Sequence, residues 1–288
     1  DFKGALKTAA DFTGIEAETG KSSRIDLSDL SERNLDEKKL QRVSYARQLA
    51  NDSIEIKGTL ADKYLTEQRG IDTNLCSKEI RFIESIKEPS TKKFYPALLV
   101  VGKNKDGIVE GVQVTYLDSD GTKAKGIESN KRSYGIIKGS SIPIHEGGNM
   151  VAVAEGVETA LSVASANPNL TVFSSLGSIT NFSYQDFNAQ NQTIIICADN
   201  DPVNNESHKK VNRAADDLAN KGFNVFIAKP DEVGQDFNDV LLRSGLDAVK
   251  SLINMPVVHR MHGHTNEKNF DRGQVQEKKR FRDVDLGM

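Results

Sequence analysis

The clearest pattern in the chain is a series of short apolar runs that alternate with helical segments in its C-terminal half. These runs lack polar and apolar alternation, which is typical of strands buried on both faces of a parallel sheet. Alternation of such strands with helices implies right-handed crossovers and an α/β fold. We predict strands near residues 151–154, 171–174, 193–198 and 223–228.

Helices are predicted between these strands. One begins after Glu155, and a strongly amphipathic one covers about residues 206–221 and ends at Gly222. One face of the second helix carries Val211, Ala214, Ala215, Leu218 and Ala219.

The preceding part of the chain has a different pattern. A short helix near residues 59–69 is followed by strand-like runs at residues 97–101, 111–117 and 134–137. The sequences NKDG and DSDG separate the runs and are typical of hairpin turns. We therefore predict an antiparallel sheet and an α+β arrangement.

These patterns divide the chain into four parts. Residues 1–50, in which a polar linker separates two predicted helices, are interpreted as a helical remnant of an upstream region. Residues 51–148 are interpreted as an α+β subdomain, 149–254 as the α/β domain and 255–288 as a flexible tail. Because the chain starts with Asp1, we expect it to be part of a longer polypeptide. The tail contains His259, His262 and His264, but no cysteine or acidic cluster accompanies them, so we favour a solvated tail over a metal site.

Composition limits the function. No apolar stretch is long enough to span a bilayer, so we expect a cytoplasmic protein that does not bind membranes. The two cysteines, Cys76 and Cys197, predict neither a disulfide framework nor a zinc site. With a formal net charge of -3, the protein would have to hold nucleic acid through a local basic patch or a metal ion.

Acidic residues follow three of the apolar segments. Glu155 follows the first predicted strand, Asp199 and Asp201 follow the third, and Asp236 with Asp239 lies beyond the fourth. Carboxyl ends of parallel strands meet at one edge of a sheet, where open α/β folds bind ligands. Crowded carboxylates repel one another unless a cation neutralises them, and hard oxygen ligands suit Mg²⁺ or Mn²⁺. The sequence thus predicts metal-assisted chemistry on phosphodiesters or nucleotides.

Other interpretations of these residues stay open. One alternative interprets Glu155 as a helix N-terminal acid that interacts with the helix dipole. Asp236 and Asn238 fit a helix N-cap, and this role does not prevent Asp236 from binding metal. The turn at Gly177 and Ser178 is either an ordinary connection or a phosphate-binding loop.

Together the motifs resemble the TOPRIM domain of primase-like proteins from phages, plasmids and conjugative elements, including the primase-like part of conjugative relaxases. The similar segments are, in order, EGVETAL, SSLGS, ADNDP, AADDLANKGFNV and DFNDVL. Upstream, GTLADKYLTEQRG, FYPALLVVGKNKDGIVEGVQVTYLDSDG and KRSYGIIKG resemble the region that precedes TOPRIM in those proteins. The resemblance covers roughly residues 1–250.

The resemblance implies a TOPRIM domain with a four-stranded parallel sheet flanked by helices, preceded by the α+β subdomain. It implies that Glu155 acts as general acid or base or helps to hold metal. It also implies that Asp199, Asp201 and Asp236 bind Mg²⁺ or Mn²⁺. Two departures leave the number of metals open. Bacterial primases have Asp-Pro-Asp where this chain has Asp236, Phe237, Asn238 and Asp239, so the second acid is either displaced or replaced by an amide. They also have an aspartate where this chain has Thr159 beside Glu158.

The resemblance also directs the functional hypotheses. Its basic region, here Lys125, Lys131, Arg132 and Lys138, is expected to contact phosphates of nucleic acid or nucleotide together with Gly177 and Ser178. The first hypothesis is primase-like nucleotidyl transfer from nucleoside triphosphates on single-stranded DNA, in replication or conjugative transfer. The alternatives are a TOPRIM nuclease and a non-catalytic nucleic-acid-binding domain of a larger relaxase or replication protein.

Overall fold

A computed structural model describes residues 27–140, 142–183, 192–202 and 206–258, with side chains described from residue 36 onward. The chain divides after Leu40 into two units. The first unit contributes the beginning of helix α1 (Leu27–Asp52), which confirms the second of the two helices expected near the start of the chain. The expected first helix and the tail from residue 259 lie outside the described residues.

A five-stranded antiparallel sheet forms the first half of the second unit, as far as the structure describes it. Its strands follow one another in the order β1-β2-β3-β4-β5. This confirms the predicted antiparallel α+β arrangement, although neither β1 nor β2 was predicted. The elements are β1 (Ile54–Glu55), α2 (Leu60–Lys63) with a π-helical turn (Tyr64–Gln68), a 3₁₀ turn (Thr73–Leu75), β2 (Ile80–Lys87), β3 (Phe94–Lys103), β4 (Val109–Tyr116) and β5 (Lys131–Gly135).

Residues 41–52 of helix α1 cover one face of this sheet. Ala46 and Leu49 are buried in the same apolar cluster as Val112 and Val114 of β4. Two arginines fasten the helix to strand ends, since Arg42 Nη2 donates to the carbonyl of Gly135 at 3.0 Å and Arg47 Nε donates to that of Val109 at 2.9 Å.

The second half of the unit is a six-stranded sheet with the order β11-β10-β9-β7-β8-β6 among the described residues. Its four central strands are parallel, and the edge strands β6 and β11 are antiparallel to their neighbours. The parallel strands lie where the apolar runs predicted them, whereas the two edge strands were not predicted. The elements are β6 (Ile142–His145), β7 (Val151–Ala154), α3 (Val157–Ala166), β8 (Thr171–Ser174), a 3₁₀ turn (Ile179–Asn181), β9 (Thr193–Cys197), α4 (Glu206–Asn220), β10 (Asn224–Ala228), α5 (Phe237–Asn254) and β11 (Val257–Val258).

Both faces of the parallel strands are covered. Alternate residues of β7 enter two different apolar clusters, Ala152 with α3 and α5, and Val153 with α4. The first cluster continues to Leu98 of β3, so the two sheets share one core. Within the described ranges, no helix is both long and apolar enough to cross a membrane. The domain boundaries proposed from sequence, at residues 51, 149 and 255, stay predictions.

Gly135 at the end of β5 gives a test of this packing. Its φ is +78°, and an added Cβ would overlap the carbonyl oxygen of Glu110 and lie 2.8 Å from the Cβ of Ala46. Replacing Gly135 by Ala should therefore lower the free energy of unfolding through backbone strain of about 1–2 kcal/mol and through overpacking of about 1–3 kcal/mol.

Gly126 provides the matched control, because its φ of +70° carries the same backbone strain but its Cβ would meet nothing within 4 Å. Denaturant unfolding should show a clearly larger loss for Gly135→Ala than for Gly126→Ala. Equal losses would mean that the close approach of β5 to α1 is not tight.

Candidate metal and nucleotide site

The sheet topology brings the predicted carboxylates to one edge. Strands β7 and β9 are parallel neighbours, with Ala154 opposite Cys197 at their carboxyl ends. Glu155 directly follows β7, and Asp199 lies two residues beyond β9. Because both strands end side by side, their acidic residues emerge at the same place.

Asp236 reaches this edge as the N-cap of α5. Its Oδ1 accepts a hydrogen bond from the Asp239 amide at 2.8 Å, and its own amide donates to Asp239 Oδ2 at 3.1 Å. This reciprocal pair is a capping box. The N-cap role considered for Asp236 is therefore present, while Asn238 lies inside the helix and is not its cap.

Asn200, which sequence reasoning missed, joins the two acidic segments. It is buried between Asp199 and Asp201 and bonds to the loop that precedes Asp236. The Asn200 amide donates to the Gln235 carbonyl at 2.9 Å, and the Asn200 carbonyl accepts from the Gly234 amide at 2.6 Å. Its Nδ2 donates to the carbonyls of Pro230 at 3.0 Å and Asp231 at 3.2 Å. These bonds hold the carboxylates of both segments together.

The carboxylates are close enough to affect one another's ionisation. Burial, with repulsion from Asp236, Glu155 and Asp201, raises the pKa of Asp199 to about 7. The pKa values of Glu155 and Asp236 are also raised, and burial is the largest cause in both. Asp199 Oδ1 is buried and has no hydrogen-bond partner among the described residues. The site therefore concentrates negative charge that the described part of the protein does not fully neutralise.

These residues fit a hard divalent cation that binds with few protein ligands. Among the residues that the structure describes, no group of three or more His, Cys, Asp or Glu side chains is placed to hold a metal ion. Mg²⁺ commonly uses one or two carboxylates and completes its shell with water and substrate phosphates. The carboxylate oxygen of Asp199 that lacks a partner in the described part of the chain, beside further acids, matches that type of site.

The adjacent residues Lys131 and Arg132 lie on opposite faces of the antiparallel sheet. Lys131 pairs with Thr115 and Arg132 with Val114, and successive side chains of a strand alternate between faces. Lys131 faces the acidic site, since its Nζ lies 2.8 Å from Glu158 Oε2 and its charge lowers the pKa of Asp199. Arg132 shares its face with Val114, which belongs to the cluster under α1.

The other predicted phosphate contacts are exposed or already engaged. Lys125 and Lys138 are exposed in the segments that flank β5. The amide of Gly177 donates to the carbonyl of Glu155 at 3.0 Å, and the Ser178 hydroxyl shares a hydrogen bond of 2.8 Å with Thr180. The turn therefore supports the backbone at Glu155.

Glu158 is a second buried carboxylate with the opposite environment. Lys131 lies 2.8 Å and Lys123 3.8 Å from its oxygens, and the Tyr64 hydroxyl donates to it at 3.0 Å. Burial alone would raise its pKa, but the two ammonium groups hold the pKa of Glu158 well below its usual range. Sequence reasoning assigned no role to Tyr64 or Lys123. The one charged residue in the otherwise uncharged run VETALSVASA was the available signal, since a buried charge requires partners.

Comparison with known proteins agrees with this architecture. Residues 150–247 match the model of the Toprim domain, and residues 41–144 match that of a domain of unknown function, DUF7146. No curated protein matches the chain.

Solved primase structures have a similar fold. The DnaG primase catalytic domain bound to ssDNA superposes with a TM-score of 0.52 at 15% identity, covering 76% of this chain and 80% of that one. The E. coli primase catalytic core gives a TM-score of 0.50 at 14% identity, with 76% and 80% covered. The RNA polymerase domain of Mycobacterium tuberculosis primase DnaG, in complex with double-stranded DNA, gives 0.50 at 17% identity, with 76% and 80% covered.

The chain thus contains a Toprim domain at residues 150–247. More particularly, it has a primase-like fold, which confirms the resemblance drawn from its motifs.

The crowding of carboxylates predicts a pH-dependent stability. An Asp whose pKa is raised by folding binds its proton more tightly in the folded state, so its contribution is favourable below about pH 4 and is lost as the pH rises towards 7. In EDTA, Asp199→Asn should therefore raise the Tm at pH 8 relative to wild type, by about 2–4 °C for each 1 kcal/mol gained. The gain should shrink at pH 5.

Asp217→Asn is the control, because Asp217 is an exposed residue of α4 and undergoes the same change of charge. Thermal unfolding of the control should change little between the two pH values. A destabilised Asp199→Asn at pH 8 would show that the carboxylate is not repelled by its neighbours.

Proposed function

We propose that the protein is a primase-like, metal-dependent nucleotidyltransferase that acts on single-stranded DNA. Its context would be the replication or conjugative transfer of a mobile element, in the cytoplasm. The proposal is supported above all by the buried oxygen of Asp199, which has no hydrogen-bond partner within the described ranges, among carboxylates at the carboxyl edge of the parallel strands.

In this proposal Asp199, Asp201, Glu155 and Asp236 hold Mg²⁺ or Mn²⁺. When bound, the metal supplies positive charge that neutralises the transferring phosphoryl group of a nucleoside triphosphate. The protein contributes the alignment of these acids, which the bonds of Asn200 and the capping box of Asp236 maintain. Positioning of this kind is the main protein contribution to phosphoryl transfer.

Glu155 is suited to move a proton. Burial raises its pKa, Lys210 lowers it and Asp201 raises it, which leaves the pKa above the usual value of a glutamate. A carboxylic acid whose pKa approaches the working pH exchanges protons more effectively. We assign Glu155 the transfer of a proton from the attacking hydroxyl, in addition to metal binding.

The template would be held mainly by local positive charge. Lys125 and Lys138 are exposed, and Lys131 extends from the same sheet towards the acidic edge. Because the net charge of the chain is -3, the overall field does not attract nucleic acid. Arg132 is left out of this contact surface because it lies on the opposite face of the sheet.

A single assay tests the activity. The protein is incubated with single-stranded DNA, labelled nucleotides and Mg²⁺ or Mn²⁺, and the products are separated by size. We expect extended products from wild type and from Asp217→Asn, and none from Glu155→Gln or Asp201→Asn, because each of these two changes removes an anionic ligand. Shortened products would instead support the nuclease, and unchanged DNA that is merely bound would support the non-catalytic alternative.

The basic surface is tested by the salt dependence of binding. Replacing Lys125 and Lys138 together by Ala should reduce the slope of log K against log salt by about two, roughly one for each lost phosphate contact. Arg132→Ala should leave the slope unchanged, since this residue faces α1. Fluorescence anisotropy of a labelled oligonucleotide measures both. A larger effect of Arg132→Ala would place the DNA on the other face of the sheet.

A further inference from the structure

A continuous chain of polar contacts runs through the interior from Glu158 to helix α5. The Tyr64 hydroxyl donates to Glu158 Oε1 at 3.0 Å, and Arg69 Nε donates to the Tyr64 hydroxyl oxygen at 2.8 Å. Arg69 Nη1 then donates to Asn238 Oδ1 at 3.2 Å. The first and last of these bonds join residues 94 and 169 positions apart in sequence, so they connect segments that only the fold brings together.

Asn238 closes this chain into a ring. Its side chain is completely buried, and Nδ2 donates to the Arg69 carbonyl at 2.8 Å and to Ser162 Oγ at 3.0 Å. The Ser162 hydroxyl donates in turn to the carbonyl of Glu158 at 2.8 Å. With both ends of its amide engaged, Asn238 is not available as a ligand. It instead anchors the first turn of α5, two residues after Asp236.

The other end of this series of polar contacts lies on the antiparallel sheet. Lys131 comes from β5 and Lys123 from the loop before it, and both place their ammonium groups against Glu158. Lys131 also lies near the exit of β7, because its Nζ is 3.9 Å from the position that a Cβ would occupy on Gly156. Glu158 is thus the junction between the basic sheet, the exit of β7 and the cap of α5.

Energetics favour a positional role for this network. Taking charges out of water is costly, and buried ion pairs are often no more stabilising than apolar residues of similar volume. Removing only one partner is strongly unfavourable, because it leaves a buried charge or dipole unsatisfied. Such a network therefore contributes little net stability but strongly restricts where its members lie.

We propose that Glu158 is a positioning residue, which acts through Tyr64, Arg69 and Asn238 to hold Asp236 at the correct place relative to Glu155 and Asp199. This deepens the proposed function and rests on it, since Asp236 is taken there as a metal ligand. Glu158 itself contacts neither metal nor substrate in this proposal. Its two lysines connect the placement of the antiparallel sheet to that of the metal-binding edge.

Tyr64→Phe is the sharpest test, because it removes one hydroxyl from the middle of the chain and keeps the buried ring. Calorimetric titration with Mn²⁺ alone should show an affinity about tenfold weaker than wild type, the lower end of the effects typical for groups that orient metal ligands. Glu158→Gln, which keeps an oxygen at the junction but loses the charge, should weaken Mn²⁺ binding as well. The second variant keeps the test valid if the first does not fold.

Glu79→Gln is the matched control. Glu79 is ion-paired with Lys103 at 2.9 Å and is largely buried, so the variant undergoes the same chemical change outside the ring. It should lose stability without losing Mn²⁺ affinity. If the control weakens Mn²⁺ binding as much as Glu158→Gln does, the effect is general loosening and the proposal is overturned.

Amide hydrogen exchange without metal separates this proposal from the proposed function. Exchange in the first turn of α5 should be faster in Tyr64→Phe than in wild type, and unchanged in Glu79→Gln. If wild type binds no Mn²⁺, the proposed function fails, and the exchange result alone decides the positioning role. Unchanged exchange in Tyr64→Phe overturns the positioning role. If the wild type binds Mn²⁺, faster exchange in Tyr64→Phe without a loss of Mn²⁺ affinity also overturns it.

Discussion

Mutual repulsion among carboxylates at the exits of parallel strands is the constraint on which the site depends. Burial of their apolar residues stabilises the pairing of strands β7 and β9, and this pairing brings Glu155 and Asp199 together although their carboxylates repel each other. The acids do not hold one another in place. Hydrogen bonds of Asn200 to the loop before Asp236 do so, together with the capping box of Asp236. The fold thus keeps an unfavourable charge arrangement ready for a cation.

Two glutamates three residues apart show how environment divides their roles. Glu155, at the end of a strand among other acids, has a raised pKa, whereas Glu158 has a lowered one between two lysines. Burial acts in the same direction on both, so the sign is decided by the neighbouring charges. Residues whose environments separate their pKa values in this way commonly differ in function. Here one glutamate is suited to exchange a proton and the other to remain a fixed anion.

The sequence predicted those features that depend on local periodicity. Unbroken apolar runs gave the four parallel strands, and the acids after them identified the edge where ligands would bind. Because successive residues of a strand face opposite sides of a sheet, the sequence also carried the signal that Lys131 and Arg132 lie on different faces. The prediction of one basic surface that contains both did not use this signal. The partners of Glu158 could not be found in this way, because Tyr64 and the lysines approach it only through tertiary packing. Likewise, Asn200 gave no periodic signal, since its role comes from a loop about 30 residues away.

The two sheets are mutually dependent because each supplies what the other lacks. The carboxyl edge of the Toprim domain gathers acids, while the sheet matched by the domain of unknown function brings Lys123 and Lys131 to it. Residues 150–247 alone would lack Tyr64, Lys123 and Lys131, which are the partners of the Glu158 carboxylate, and would expose the side of α3 that shares a core with Leu98. The Toprim domain of this protein is therefore completed by the upstream sheet, both in its core and in the charge that surrounds its site.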